Sequence, residues 1–111
     1  MSNHYKFVAL VNAKEDQEEE FNAWHTDTHL PEVVRAAGFT RGTRFKLVEG
    51  SNGDNTVYRY LVVLEGEGDP MQALSKLGEA FEAGEIHMSD ALGEPLWSSM
   101  YESIPGAEFS I

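Results

Sequence analysis

Apolar and polar residues alternate from Tyr5 to Asn12. Tyr5, Phe7, Ala9 and Val11 fall on one side, and Lys6, Val8, Leu10 and Asn12 on the other. This is the period-two pattern of a strand. Val8 and Leu10 make the second side apolar as well, so it too needs cover. The period changes over Lys14 to Ala37. Glu15, Asp16, Glu18, Glu19 and Glu20 open that segment, which suits the positive end of a helix dipole. Phe21, Trp24, His25 and Thr28 then recur at the three-and-four spacing of a helical stripe. Pro31 lacks the amide proton a helix interior uses, and it pushes Leu30 away from helical angles. The sequence predicts a main helix to about Asp27, a short second one from Pro31 to Ala37, and a stop at Gly38.

Phe39 to Val48 reads as the next strand, with Thr43, Phe45 and Leu47 on one face and Arg44, Lys46 and Val48 on the other. Glu49 to Asn55 holds Gly50, Asn52, Gly53 and Asp54, the residues of a hairpin turn. The clearest alternation follows over Val57 to Glu65: Tyr58, Tyr60, Val62 and Leu64 oppose Val57, Arg59, Leu61 and Val63. Asp69-Pro70 supplies a helix N-cap with proline in the first turn. Met71, Leu74, Leu77 and Phe81 give that helix a candidate buried stripe, and Gly84 ends it. Glu85 to Pro95 has no period, and Leu96 to Ile104 reads as a last strand.

The order strand, helix, strand, strand, helix, strand predicts an α+β, ferredoxin-like βαββαβ fold. In this fold a four-stranded antiparallel sheet carries both helices on one face. An antiparallel sheet with one wet face alternates cleanly between apolar and polar. Here three strands carry apolar or aromatic residues on both faces. The face without helices therefore needs a cover, and a homodimer is the expected one.

At 111 residues the chain is expected to form a single domain, 1–111. With 19 acidic and 8 basic side chains the net charge is −11. That argues against nucleic acid, whose phosphates call for an excess of Lys and Arg, and against an anionic membrane surface. There is no cysteine, hence no disulfide or thiolate-bound metal. No apolar run suggests a signal peptide or a transmembrane span, so a soluble cytoplasmic protein is expected.

Phe21-Asn22-Ala23-Trp24-His25-Thr26-Asp27-Thr28-His29-Leu30-Pro31-Glu32 resembles the EthD-like group of the dimeric α/β barrel superfamily. That group shows an aromatic pair on the first helix, then a histidine, an aliphatic residue, a proline and an acid. Gly38-Phe39 matches its entry into the second strand, and Arg44-Phe45 its arginine-aromatic pair. The element order agrees along most of the chain, while the motif spans only part of it. Position 25 departs from the pattern: where the group often has tyrosine or another aromatic, this chain has His25. The resemblance implies a dimeric barrel with a pocket in each subunit between its sheet and helices. It leaves the reaction open, because the superfamily includes isomerases, cyclases, dehydratases, cofactor-free monooxygenases and non-catalytic members.

The side chains expected around such a pocket supply its chemistry. His29 and His25 are candidate general acid/base groups, because imidazole takes and gives protons near neutral pH. Tyr58 and Tyr60 are candidate donors to a developing enolate or phenolate oxygen. Trp24, His87 and Trp97 are candidate pocket-wall residues, and Arg44 a candidate anchor for a carboxylate. Each has a plainer role: a helix cap for His29, a core position for His25, ordinary strand aromatics for the tyrosines, solvent for His87, packing for the tryptophans, and a salt bridge for Arg44. His25 and His29 are four apart, as a shared metal would need. However, Thr26 stands where the zinc-protease motif has glutamate, and only Asp27, Glu32 or His87 could be a third ligand, so no metal is expected. The acidic run lacks the glycine and spacing of a calcium loop, and Gly66-Glu67-Gly68 lacks the third glycine of a dinucleotide fingerprint. No cofactor is expected. The sequence thus points to a cofactor-free enzyme of lyase or isomerase type, performing isomerisation, cyclisation or dehydration on a small apolar carbonyl or phenolic compound. The alternatives are a cofactor-free monooxygenase of phenols and a non-catalytic small-molecule binding protein.

Overall fold

Period-two patterning places four strands in one antiparallel sheet: β1 (His4–Val11), β2 (Arg41–Lys46), β3 (Tyr60–Glu67) and β4 (Trp97–Glu102). The computed structural model describes residues 4–53 and 58–111. The strand order is β2-β3-β1-β4, with every neighbouring pair antiparallel. This is the ferredoxin-like order that the element sequence predicts. Val57, the expected first residue of the third strand, and Asp54 and Asn55 of the expected turn lie outside the described residues. The observed second and fourth strands are shorter than the expected Phe39–Val48 and Leu96–Ile104. No described helix is long and apolar enough to cross a membrane.

Register assigns the two faces. Phe7 pairs with Leu64 and Met100, and Ala9 with Val62 and Ser98. These residues, with Tyr5 and Val11, face the helices. Val8, Leu10, Leu61 and Val63 lie on the opposite face, with Phe45 and Trp97 in register beside them. Phe45, Trp97 and Tyr101 are exposed there. Among the described residues no helix covers this face; it is apolar around Leu10, Leu61, Phe45 and Trp97, and carries the Lys6–Glu65 and Arg41–Glu65 ion pairs toward its other end.

The first helical segment differs from its expectation in an instructive way. It runs without a break as α1 (Glu18–Trp24), a π-helical turn (His25–His29) and α2 (Leu30–Ala37). Lys14 to Gln17 form a turn before it, with Asp16 at φ 64°. Pro31 was expected to break the helix near Asp27. The Leu30 amide instead donates to the His25 carbonyl, five residues back. This wider turn stands where proline would otherwise crowd and orphan a carbonyl in a regular helix. Gly38, at φ 75°, ends α2 in the left-handed conformation.

The third helix, α3 (Pro70–Glu82), starts as the sequence predicts: the Asp69 carboxylate accepts from the Met71 amide at 3.0 Å. Its buried face is not the expected Met71-Leu74-Leu77-Phe81 stripe. Ala73, Leu77 and Ala80 are buried, and Met71, Leu74 and Phe81 are exposed. The alanines leave room for α3 to settle close to α2.

Two core clusters result. One joins Tyr5, Val33, Phe39, Val62, Leu64 and Leu77; the other joins Val11, Phe21, Tyr60 and Ala91. Ala9 packs against both, so their junction lies at the middle of β1. The segment after α3 is tied down just past the end of β1: Lys14 donates to the Ala91 carbonyl and Gly93 to the Asn12 carbonyl, each at 2.8 Å. A bridge pairs Ala13 with Leu92.

Candidate functional site

A cavity of about 200 Å³ opens where the two clusters meet. The sheet contributes Phe7, Ala9, Val11, Val62, Leu64 and Ser98 to its lining. The first helical segment contributes Trp24, His25, His29, Leu30 and Val33, α3 contributes Leu77 and Phe81, and the following segment Met88, Leu92 and Leu96. No Lys, Arg, Asp or Glu is among these residues. The polar members are the two histidines, Ser98 and the tryptophan.

The π-helical turn gathers the rings. Phe21 and His25 are four apart with centroids at 5.3 Å, an ordinary helical neighbour pair. Trp24 and His29 are five apart, yet they stack with centroids at 4.6 Å and planes 29° from parallel. His25 and His29 meet edge to face at 5.3 Å. The Trp24 indole donates to the His87 carbonyl at 2.9 Å, which fixes the ring against the loop.

Burial sets the charge state of both imidazoles. His25 is only 4% exposed. Its pKa is pushed down to about 3, by desolvation first and then by the positive fields of Arg44 and His29. Desolvation also lowers the pKa of His29, while Glu32 and a backbone hydrogen bond at His87 pull it back up. Burial thus favours the uncharged form of both rings. The Nδ1 atoms of His25 and His29 are buried and have no hydrogen-bond partner among the described protein atoms.

The other candidates lie apart from the cavity lining. His87 is exposed; its Nδ1 sits 2.6 Å from one Glu32 carboxylate oxygen, and its amide donates to the other at 2.8 Å. These bonds hold the Glu32 carboxyl below the usual range. The pair clamps the loop to α2. Tyr60 is buried on the helix-facing side of β3 and donates its hydroxyl to Glu18, while accepting from the Asn22 amide at 3.1 Å. Burial, then that Glu18 bond, raises its pKa. Tyr58 precedes β3 and is half-buried. Trp97 lies on the bare sheet face beside Tyr101, 6.3 Å away. Arg44 reaches α1 and the π-helical turn: its guanidinium donates to Asn22 Oδ1 at 2.8 Å and to Thr26 Oγ1 at 2.7 Å. It also lies 5.4 Å from the Phe21 and Tyr60 ring centres. It therefore has neutral partners in place of the expected surplus acid. Among the described residues, no cluster of three or more His, Asp and Glu is arranged to hold a metal.

Sequence reasoning missed Phe7, Ala9, Leu30, Leu92 and Ser98 as cavity residues. The alternation of β1 already placed Phe7 and Ala9 on the helix side. Ser98, in register with Ala9, carried no signal beyond its strand.

No family model and no curated protein matches the sequence. Solved structures do match. One is an ethyl tert-butyl ether D (EthD) family protein from Bacillus halodurans, at 15% identity and TM-score 0.57, covering 91% of this chain and 99% of that one. Another is an EthD-like protein from Ralstonia eutropha, at 13% identity and TM-score 0.58, covering 99% and 98%. The likeness runs along nearly the whole chain and, with helices on one face of a four-stranded antiparallel sheet, gives this protein the ferredoxin-like α+β fold of the EthD-like proteins.

Proposed function

We propose that the protein is a cofactor-free enzyme that performs acid/base chemistry on a small apolar carbonyl or phenolic compound held in this cavity. One observation carries the reading: two imidazoles whose uncharged form is favoured, with buried and unpartnered Nδ1 atoms, border a cavity that is otherwise almost wholly apolar. His29 is the proton carrier in this reading. Its transient imidazolium is helped by Glu32 and by the His87 backbone, whereas Arg44 opposes a charge on His25. His29 takes a proton from the carbon beside a carbonyl, or from a phenol, and returns it elsewhere on the same molecule. Return at a different carbon is isomerisation, return to a departing hydroxyl is dehydration, and attack of the enolate on a second carbonyl is cyclisation. The donor to the developing oxyanion comes from His25 or Ser98, since Tyr60 is engaged with Glu18 and Asn22. Two chains pairing through the apolar sheet face around Leu61, Val63 and Phe45 complete the reading.

The test is solvent-deuterium incorporation beside the carbonyl of propiophenone, a single-ring ketone, followed by proton NMR. The protein should accelerate exchange over buffer, and His29→Ala should lose roughly 100-fold, the low end of general acid/base catalysis. A protein no faster than buffer, or an undiminished His29→Ala variant, removes the reaction. The depth of His25 favours the second reading, a non-catalytic binding protein, in which both rings serve only as cavity wall. Oxygen consumption with a phenol substrate would mark the monooxygenase alternative.

A further inference from the structure

We infer that the cavity selects uncharged single-ring compounds bearing one hydroxyl or carbonyl group, and excludes carboxylates of the same shape. The inference rests on reading the cavity as the ligand site. Size sets the first part. An apolar cavity of about 150 Å³ holds benzene, so one of about 200 Å³ suits a ring with a short substituent. Ligands of ordinary drug size occupy larger pockets, from about 300 Å³ upward.

Charge sets the second part. A carboxylate entering an apolar cavity loses its hydration and needs a cation or several donors in exchange. Among the described residues, no Lys or Arg lines this cavity. Arg44 is held away from the lining, its guanidinium tied to Asn22 and Thr26 and set against the fully buried Phe21 ring. Phe21 in turn contacts His25. The structure thus brings a cation close to the site and gives it other partners. A lone hydroxyl or carbonyl asks for much less: one hydrogen bond from or to an imidazole nitrogen or Ser98 satisfies it.

The test is calorimetric titration of the full chain with para-propylphenol and para-propylbenzoate at about pH 7. The two probes share ring and tail, so their ratio isolates the charge. The phenol should bind at least tenfold more tightly. Phe81→Arg places a cation on an exposed lining residue of α3 and should narrow or invert that ratio. Equal or tighter binding of the benzoate to the unmodified protein overturns the inference, as does binding of neither probe. A ratio unmoved by Phe81→Arg also overturns it, because the compounds would then sit elsewhere. Selectivity without proton exchange would defeat the catalytic reading and leave this one standing.

Discussion

Trp24 and His29 are five residues apart and stack at 4.6 Å. In a regular helix, neighbours on the surface are three or four apart. The π-helical turn at His25–His29 brings the fifth residue over the first, and the indole is then pinned by its bond to the His87 carbonyl. Trp24→Phe keeps a ring for His29 but drops that bond. It should cost about 1 kcal/mol in urea unfolding and reduce hydrogen-exchange protection around His87. Unchanged protection would mean that the Glu32 bonds hold His87 without help from the indole.

His25 makes stability depend on pH with a definite sign. Its folded pKa, about 3, lies below the ordinary value of 6.5, so the unfolded chain takes up a proton that the native state refuses. Stability is therefore full above about pH 6.5 and falls as the pH drops from there toward 3. Between about pH 6.5 and 5 the loss from His25 is on the order of 2 kcal/mol, and His29 acts in the same direction. Urea unfolding at about pH 7 and about pH 5 measures it. His25→Leu should flatten the difference between the two; an equally steep variant would place the pH dependence elsewhere.

The glycines of β2, β3 and α3 should respond in opposite ways to alanine. A methyl at Gly42 would stand 2.8 to 2.9 Å from Leu30, Leu64 and Val34 side-chain carbons, and one at Gly66 would stand 2.5 Å from the Tyr5 ring. Overpacking at Gly42 should cost about 1–3 kcal/mol, and because Leu30 and Leu64 line the cavity, ligand binding should weaken too. Gly66→Ala should cost more, since the ring is held within the core. Gly78, inside α3, has nothing near it, and Gly78→Ala should gain about 0.5–1 kcal/mol. Thermal unfolding of the three variants gives the order.

The proposed pairing through the bare sheet face would make Leu61 an internal residue of a dimer. Sedimentation of the unmodified chain should give twice the monomer mass. Leu61→Asp should give the monomer, by setting a carboxylate against apolar surface. A monomeric unmodified chain would contradict the pairing.

Much of the fold was legible because its signals are local. Alternation in Tyr5 to Val11 and in Tyr60 to Leu64, the Asp69-Pro70 cap and Gly38 each act within a few residues. The π-helical turn was not legible, because three-and-four spacing assumes a regular helix, so the Trp24–His29 stack had no template. The buried face of α3 was misread because alanine carries little hydrophobic weight, although its small size is what lets two helices such as α2 and α3 approach each other. For the site, His25, His29 and Trp24 were found from their motif and stripe. Tyr60 and Arg44 were drawn toward the cavity by residue type alone. Their real partners, Glu18, Asn22 and Thr26, are distant in sequence and could not be paired with them in advance.

The most direct measurement is a crystal structure of the protein soaked in para-propylphenol. The account predicts the ring between the sheet and the helices, against Phe7, Leu64 and Leu77, with its hydroxyl in hydrogen-bond reach of His29, His25 or Ser98. An empty cavity, with the compound on the bare sheet face or beside Arg44, would contradict it.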